Sequence, residues 1–442
     1  MIEARVSVTF VLVIAAALQP AGASTTGTLT VPYSFQGAPD GAYPAAPLVV
    51  GAGGVLYGVT SQGGSGNCSP YMGCGTVFSL TPPTAPGDSW TESVIYNFAG
   101  APDGALPEGL TVASDGTLYG NTGAGGSGPC NNGLYNGCGT VFSLTPPASS
   151  GGLWTETVLY NFIGGTTDGM LPRATVAIGA NNVLFGTTEY GGSGSCFIGL
   201  PGCGTVFSLS PPAGDPSTSW TESILHNFTD YPDGANPLAG VVIANGVLYG
   251  TTYKGGTAAE EGTVYSLAPP ASGTAWTETV LTVFNGANGA NPWSGVVIGG
   301  SSASGLVLYG TTYSGGLNGA GTVYSLTSPA TAGGAWTGTV LDSFNGADGE
   351  FPIGGVVLAP GGALLGTTDE GGAGEGLGTL YALQPPVSPG GAWTETVLHT
   401  FQNGKAGYNP EASLVLGPGG MFYGTNPNGG VGGYGTVFAW KP

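Results

Sequence analysis

Residues 229–284 read TDYPDGANPLAGVVIANGVLYGTTYKGGTAAEEGTVYSLAPPASGTAWTETVLTVF. Four short apolar segments are parted there by turn residues. An Asp-Gly-x-x-Pro loop leads to Gly240 to Ile243, and Asn245-Gly246 turns the chain into Leu-Tyr-Gly-Thr-Thr. A Gly-Gly loop then precedes Gly-Thr-Val-Tyr-Ser-Leu, and a Pro-rich turn precedes Trp-Thr-Glu-Thr-Val-Leu. Short runs with such turns between them predict a four-stranded antiparallel meander, strands a, b, c and d. Gly240 to Ile243, like Thr157 to Leu159 elsewhere, is apolar at consecutive positions and predicts a sheet covered on both faces.

The unit recurs. Aligning the phenylalanine that ends strand d gives Phe35, Phe98, Phe162, Phe228, Phe284, Phe344 and Phe401, at spacings of 63, 64, 66, 56, 60 and 57 residues. A period of this size in a chain of 442 residues predicts repeats packed face to face. The chain stops at Pro442 just after a c-type segment, Gly435 to Trp440, whereas Thr28 to Phe35 has the d pattern and precedes the first a strand. Pairing the two would close a ring and remove both sheet edges. The expectation is an all-β, seven-bladed β-propeller of four-stranded antiparallel blades over 24–442. Its blades are 36–98, 99–162, 163–228, 229–284, 285–344, 345–401, and 402–442 completed by 24–35.

Residues 1–23 read as a signal peptide, with Arg5, an apolar run from Val6 to Leu18 and small residues at Ala21 to Ala23. The run is shorter than the roughly 20 apolar residues of a membrane span, so a secreted or cell-surface protein is expected. Composition permits folding: Gly numbers 87 and charged residues make up only 7%, but 41% of the chain is hydrophobic. The net charge is -20, and the cations after residue 23 are Arg173, Lys254, Lys405 and Lys441. Nucleic acid and anionic membrane are therefore excluded as natural partners, and an extracellular glycan or protein is the partner class left.

The recurring Phe-x-Gly-x-x-Asp-Gly-x-x-Pro, Leu-Tyr-Gly-Thr-Thr, Gly-Gly and Gly-Thr-Val-Phe-Ser-Leu resemble the bacterial GloVer (Gloeo/Verruco) tandem repeat across essentially the whole mature chain. Lapses occur at Asn288 and Ala406, where Asp is expected. The resemblance implies an extracellular repeat protein without an established activity, often followed by a sorting or anchoring signal. Since no residue follows Pro442 here, a released form is expected.

Six cysteines fall at one repeat position, Cys68 with Cys74, Cys130 with Cys138 and Cys196 with Cys203, and predict a disulfide inside each b–c loop. Zinc is the alternative, without local His or Cys-x-x-Cys spacing to support it. In a meander the d–a and b–c loops leave one edge, so the stapled loops of blades 1 to 3 and the Asp-Gly loops share a face. This face is the expected functional one, against the plain reading that the staples resist proteolysis. Asp40, Asp103, Asp168, Asp233 and Asp348 in those loops, and Glu92, Glu156, Glu222, Glu278 and Glu395 on strand d, recur too regularly for a unique chemical site. They read as structural, the Asp side chains bonding their own turns; a calcium ring on the five Asp is the alternative, with Ca²⁺ the one cofactor the sequence offers. His226 and His399 lie in different blades without an evident partner for base catalysis.

Trp90, Trp154, Trp220, Trp276, Trp336 and Trp393 open d strands and read as packing between outer strands, and Trp440 as packing at the ring closure. Trp293 is off that register. With Tyr71, Tyr135, Tyr190, Tyr253 and Tyr313 it forms the candidate ligand surface, its rings suited to stacking on sugars; the plain alternative is that these aromatics shield loop backbone. The expected function is a binding or interaction module, with glycans as the candidate ligand. A propeller glycosidase or lyase is the alternative, with Glu260, Glu261, Glu350 and Asp369 its most unevenly placed acids, and a purely structural surface protein is the third reading.

Overall fold

The computed structural model describes residues 27–68, 73–85, 88–131, 136–149, 151–196, 201–212, 219–300, 305–331, 333–388 and 390–442. The proposed signal segment 1–23, Tyr71 and Tyr135 lie outside the described residues.

Seven four-stranded antiparallel sheets follow one another, each ordered a-b-c-d. In blade 4 the strands are Val242–Ala244, Val247–Thr252, Thr263–Ala268 and Thr277–Val283. The last sheet joins the chain ends. Val415–Leu416, Phe422–Asn426 and Thr436–Lys441 are completed by Thr28–Ser34, with Leu29 opposite Trp440 and Tyr33 opposite Val437. The ring is thus closed by the N-terminal strand, and Trp440, 3% exposed, packs there against Leu29.

Burial on both faces explains the apolar runs. Phe35, Phe98, Phe162, Phe228, Phe284, Phe344 and Phe401 end their d strands at 0–1% exposure. Each meets an aromatic ring on strand c of the next blade, Phe35 with Phe78 and Phe401 with Phe438 among them, at centroid distances of 5.0–5.2 Å. An edge-to-face contact of this kind contributes ~1 kcal/mol beyond its burial, and burying each Phe ~2 kcal/mol. A second belt lies farther out: the six d-strand tryptophans touch an aromatic residue on strand b of the preceding blade, for instance Trp90 on Tyr423 and Trp154 on Tyr57, at 5.7–6.1 Å. The expected packing between outer strands is corrected accordingly, because neighbouring blades are staggered and an outer strand covers the second strand of its neighbour.

Hydrogen bonds carry the same message around the ring. Thr187, Thr251, Thr311 and Thr367 on strand b donate to main-chain oxygens at the start of the next blade, and Thr425 to Ala46 O closes the circle. Inside six blades a buried Thr pair joins b to c, such as Thr60 to Thr76 at 2.8 Å; in the seventh Asn426 Nδ2 donates to Thr436 instead. Cys68–Cys74, Cys130–Cys138 and Cys196–Cys203 are disulfide-bonded as expected, each loop contributing on the order of 2 kcal/mol. No described helix is long and apolar enough to cross a membrane.

Candidate functional site

The d–a and b–c loops do leave one face, where they pair with each other: Gly41–Ala42 with Gln62–Gly63, Gly169–Met170 with Tyr190–Gly191, and Ala235 with Lys254. The residue before each loop proline carries this arrangement. Tyr43, Leu106, Leu171, Asn236, Asn291, Phe351 and Asn409 all have φ of 54–58°, a left-handed conformation that is strained for residues with a Cβ. Their N–H groups donate to the preceding blade, as Asn291 N does to Glu261 O at 2.7 Å. The carbonyls of Tyr43, Leu171, Asn236, Asn291 and Phe351 accept from the residue that follows the last Thr of strand b, as Asn236 O does from Tyr253 N at 3.0 Å and Asn291 O from Tyr313 N at 3.1 Å.

 The Asn side chains brace the same rim, since Asn236, Asn291 and Asn409 donate through Nδ2 to Glu189 O, Tyr253 O and Asp369 O at 3.1, 3.0 and 2.7 Å.

This clasp aims the residue after the loop proline at the axis in every blade, and in blades 1, 3 and 4 the residue after strand b's last Thr, Ser61, Glu189 and Tyr253, joins it. Together with the innermost segments of all seven blades they enclose a cavity of about 810 Å³. The shaft below is lined by small residues such as Ala174, Ala239, Ser294, Gly354 and Ala412, but its mouth is chemically uneven. On the side of blades 2 and 3, Arg173 bridges Glu108 at 3.1 Å and Glu189 at 2.8 Å. Burial raises the Glu108 pKa while the guanidinium pulls it back down. Gly123 makes room for this cluster, because a Cβ there would stand 2.6 Å from Glu108 Oε1.

Blades 4 to 6 supply an aromatic arc. Tyr253 meets Trp293 at 5.3 Å, Trp293 meets Tyr313 at 5.9 Å, and Tyr313 stacks on Phe351 at 4.8 Å with planes 17° apart. Trp293 remains 40% exposed. The arc leads directly to two acids, since Asp369 N donates to Phe351 O and Asp369 O accepts from Asn409, two residues before Glu411. Burial, with help from Glu370, pushes the Asp369 carboxyl up to about 6, and burial with Asp369 nearby pushes Glu411 up to about 7. Asp369 Oδ1 is buried without a hydrogen-bond partner.

Of the sequence candidates, Trp293, Tyr253 and Tyr313 come together, and Tyr190 lines the same cavity from blade 3. The loop aspartates turn inward on their own loops: Asp40 accepts from Gln36 N, Gly41 N and Tyr33 Oη, and Asp103, Asp168 and Asp233 repeat the pattern, with His226 in the tyrosine's place in blade 4. Asp348 caps Asn345 N likewise. Among the described residues no group of three or more His, Cys, Asp or Glu is placed to hold a metal ion. Of the unevenly placed acids, Glu260 lies 3.8 Å from Lys254, and Asp369 adjoins the aromatic arc through the bond of its N–H to Phe351 O.

The family profile of the Gloeobacter/Verrucomicrobia repeat matches residues 20–200 and 196–438. The chain belongs to this repeat family. A search of curated proteins finds no match. Among solved structures, the repeat's propeller is similar to a fungal alcohol oxidase of the AA5 family in complex with copper, 15% identical over 94% of this chain and 76% of that one, with a TM-score of 0.52. It is similar more distantly to a Trypanosoma rangeli sialidase, 10% identical over 96% of this chain and 60% of that one, with a TM-score of 0.43. At these identities the likeness is one of fold.

Within the Gloeobacter/Verrucomicrobia repeat, the sequence reading missed Glu108, Arg173, Glu189, Phe351 and Glu411. The signal that finds them is positional: the residue after the loop proline runs Ala45, Glu108, Arg173, Leu238, Trp293, Ile353, Glu411, so it varies from blade to blade inside an otherwise constant repeat frame.

Proposed function

We propose that the protein is an exported carbohydrate-binding propeller whose site is the cavity mouth on the face of the d–a and b–c loops. The observation that carries this reading is the arc Tyr253, Trp293, Tyr313 and Phe351, held on a braced rim beside an open cavity. Flat rings offered at a polar mouth suit stacking on the apolar face of a sugar, with carboxylates and main-chain groups available for its hydroxyls. The three disulfides and the apolar run from Val6 to Leu18 support export.

The test is binding of the protein to a panel of soluble oligosaccharides and insoluble polysaccharides. Trp293→Ala is expected to weaken any binding at least tenfold and, since this side chain is partly exposed, to leave the melting temperature nearly unchanged. Binding that survives W293A and Y313A together would remove the aromatic arc from the site. A hydrolytic reading has one specific observation behind it, the raised pKa values of the neighbouring acids Asp369 and Glu411. Release of reducing ends in the same assays, abolished by E411Q, would establish it.

A further inference from the structure

The mouth's charges narrow the class of sugar, on the premise that the mouth binds carbohydrate as proposed above. Two cations line the cavity, and both are already engaged: Arg173 with Glu108 and Glu189, and Lys254 with Glu260. Neither has a free carboxylate-binding fork to offer an acidic sugar. Across the mouth, Asp369 and Glu411 have no ion-pair partner among the described residues, and Asp369 Oδ1 has no hydrogen-bond donor either. These two acids continue the aromatic arc through Phe351, whose carbonyl holds Asp369 N at 3.1 Å. A ring stacked on Trp293 and Tyr313 would therefore present its substituents to two uncompensated carboxylates.

We propose that this mouth selects amino sugars bearing a free, protonated amine, the ring stacking on Trp293 and Tyr313 and the ammonium lying between Asp369 and Glu411. An ammonium supplies up to three donors, one of them to Asp369 Oδ1, which has no donor now, and its charge offsets the repulsion between the acids. A uronic acid would instead bring a third carboxylate to them and meet only occupied cations. An N-acetylated sugar keeps the stacking but loses the charge.

The experiment compares the whole protein's affinity at pH 7 for a glucosamine oligomer, the corresponding N-acetylglucosamine oligomer, a galacturonic acid oligomer and trilysine. The glucosamine oligomer is expected to bind about tenfold tighter than its N-acetylated form, the size of one charge-assisted interaction at a partly exposed site. The galacturonate oligomer is expected not to bind. D369N/E411Q should abolish the preference, so that the two oligomers bind with equal affinity, and W293A should weaken both. Binding of the N-acetylated sugar with no gain from the free amine, or a preference for galacturonate, overturns the amino-sugar proposal alone. Trilysine binding as tightly as the glucosamine oligomer also overturns it, because charge without a sugar would then suffice. Failure of every sugar here and across the polysaccharide panel overturns the carbohydrate-binding reading beneath it.

Discussion

Asn291 shows how one side chain holds the rim in place. It stands before Pro292 with φ of 56°, and its Nδ2 donates to Tyr253 O at 3.0 Å and to Glu260 O at 3.2 Å. Asn tolerates the left-handed region better than most residues that carry a Cβ. Asn291→Ala removes both side-chain bonds and leaves a residue less suited to that φ, so it is expected to cost ~1–3 kcal/mol. Asn291→Gly, which relieves the backbone without restoring the bonds, should recover part of the loss. A thermal melt is the check, and an unchanged melting temperature in N291A would mean that the clasp does not hold the rim. Sequence reading reached this region only in part. Trp293 stood out because it is off the tryptophan register, whereas Arg173 and Glu411 look like ordinary loop residues until the strained residue and proline before them turn them toward the axis. Phe351 was invisible for the same reason, since nothing in the sequence marks a ring that will stack on Tyr313.

Strands b and c meet at a position where the chain permits only glycine on one side. A Cβ on Gly58 would stand 2.5 Å from the Phe78 ring, and one on Gly250 would stand 2.4 Å from Tyr265 Oη. The facing c residue is Phe78, Phe142, Phe207 and Phe438 in four blades but Tyr265, Tyr324 and Tyr381 in the other three. Those three hydroxyls are buried without a hydrogen-bond partner, a desolvation cost of ~1–3 kcal/mol each. Tyr265→Phe, Tyr324→Phe and Tyr381→Phe are therefore expected to raise the melting temperature, singly and additively, as the sites lie in separate blades. A fall would show that buried water satisfies these hydroxyls. The c and d strands were readable from their repeated motifs. Strand a was less so: it is only two residues long in most blades, such as Val49–Val50 and Val297–Ile298, because the innermost segments converge at the axis, where their carbonyls accept from strand-b Thr hydroxyls of the preceding blade instead of continuing the sheet.

Ring closure was legible in the sequence because the chain divides one blade between its ends, and a d pattern before the first a strand has no other partner to take. What could not be read is the charge placed between the blades once the ring closes. Glu92, Glu156, Glu222, Glu278 and Glu395 look like exposed strand residues, but each has an Oε1 buried without a partner. Burial first, and then the loop aspartate nearby, such as Asp40 beside Glu92, pushes each carboxyl from 4.5 up to about 7. A pKa raised on folding means that the folded state holds the proton more tightly than the unfolded one. The stability this contributes is complete below the unfolded value of 4.5 and is lost as the pH rises through about 7. Burial of His399 lowers its pKa from 6.5 and acts the other way, but it is a single group and titrates below the upper part of this window. The melting temperature is thus expected to fall as the pH rises from 4.5 to about 7, the window these shifts set. Since all five sites share the repeat frame, replacing the five glutamates by glutamine should reduce that slope, leaving the share of Asp369 and Glu411, with the cavity mouth untouched. A melting temperature that holds or rises across the window in the unaltered protein would mean that these carboxyls are solvated and charged in the folded ring, and that the blade interfaces are wetter than their packing implies.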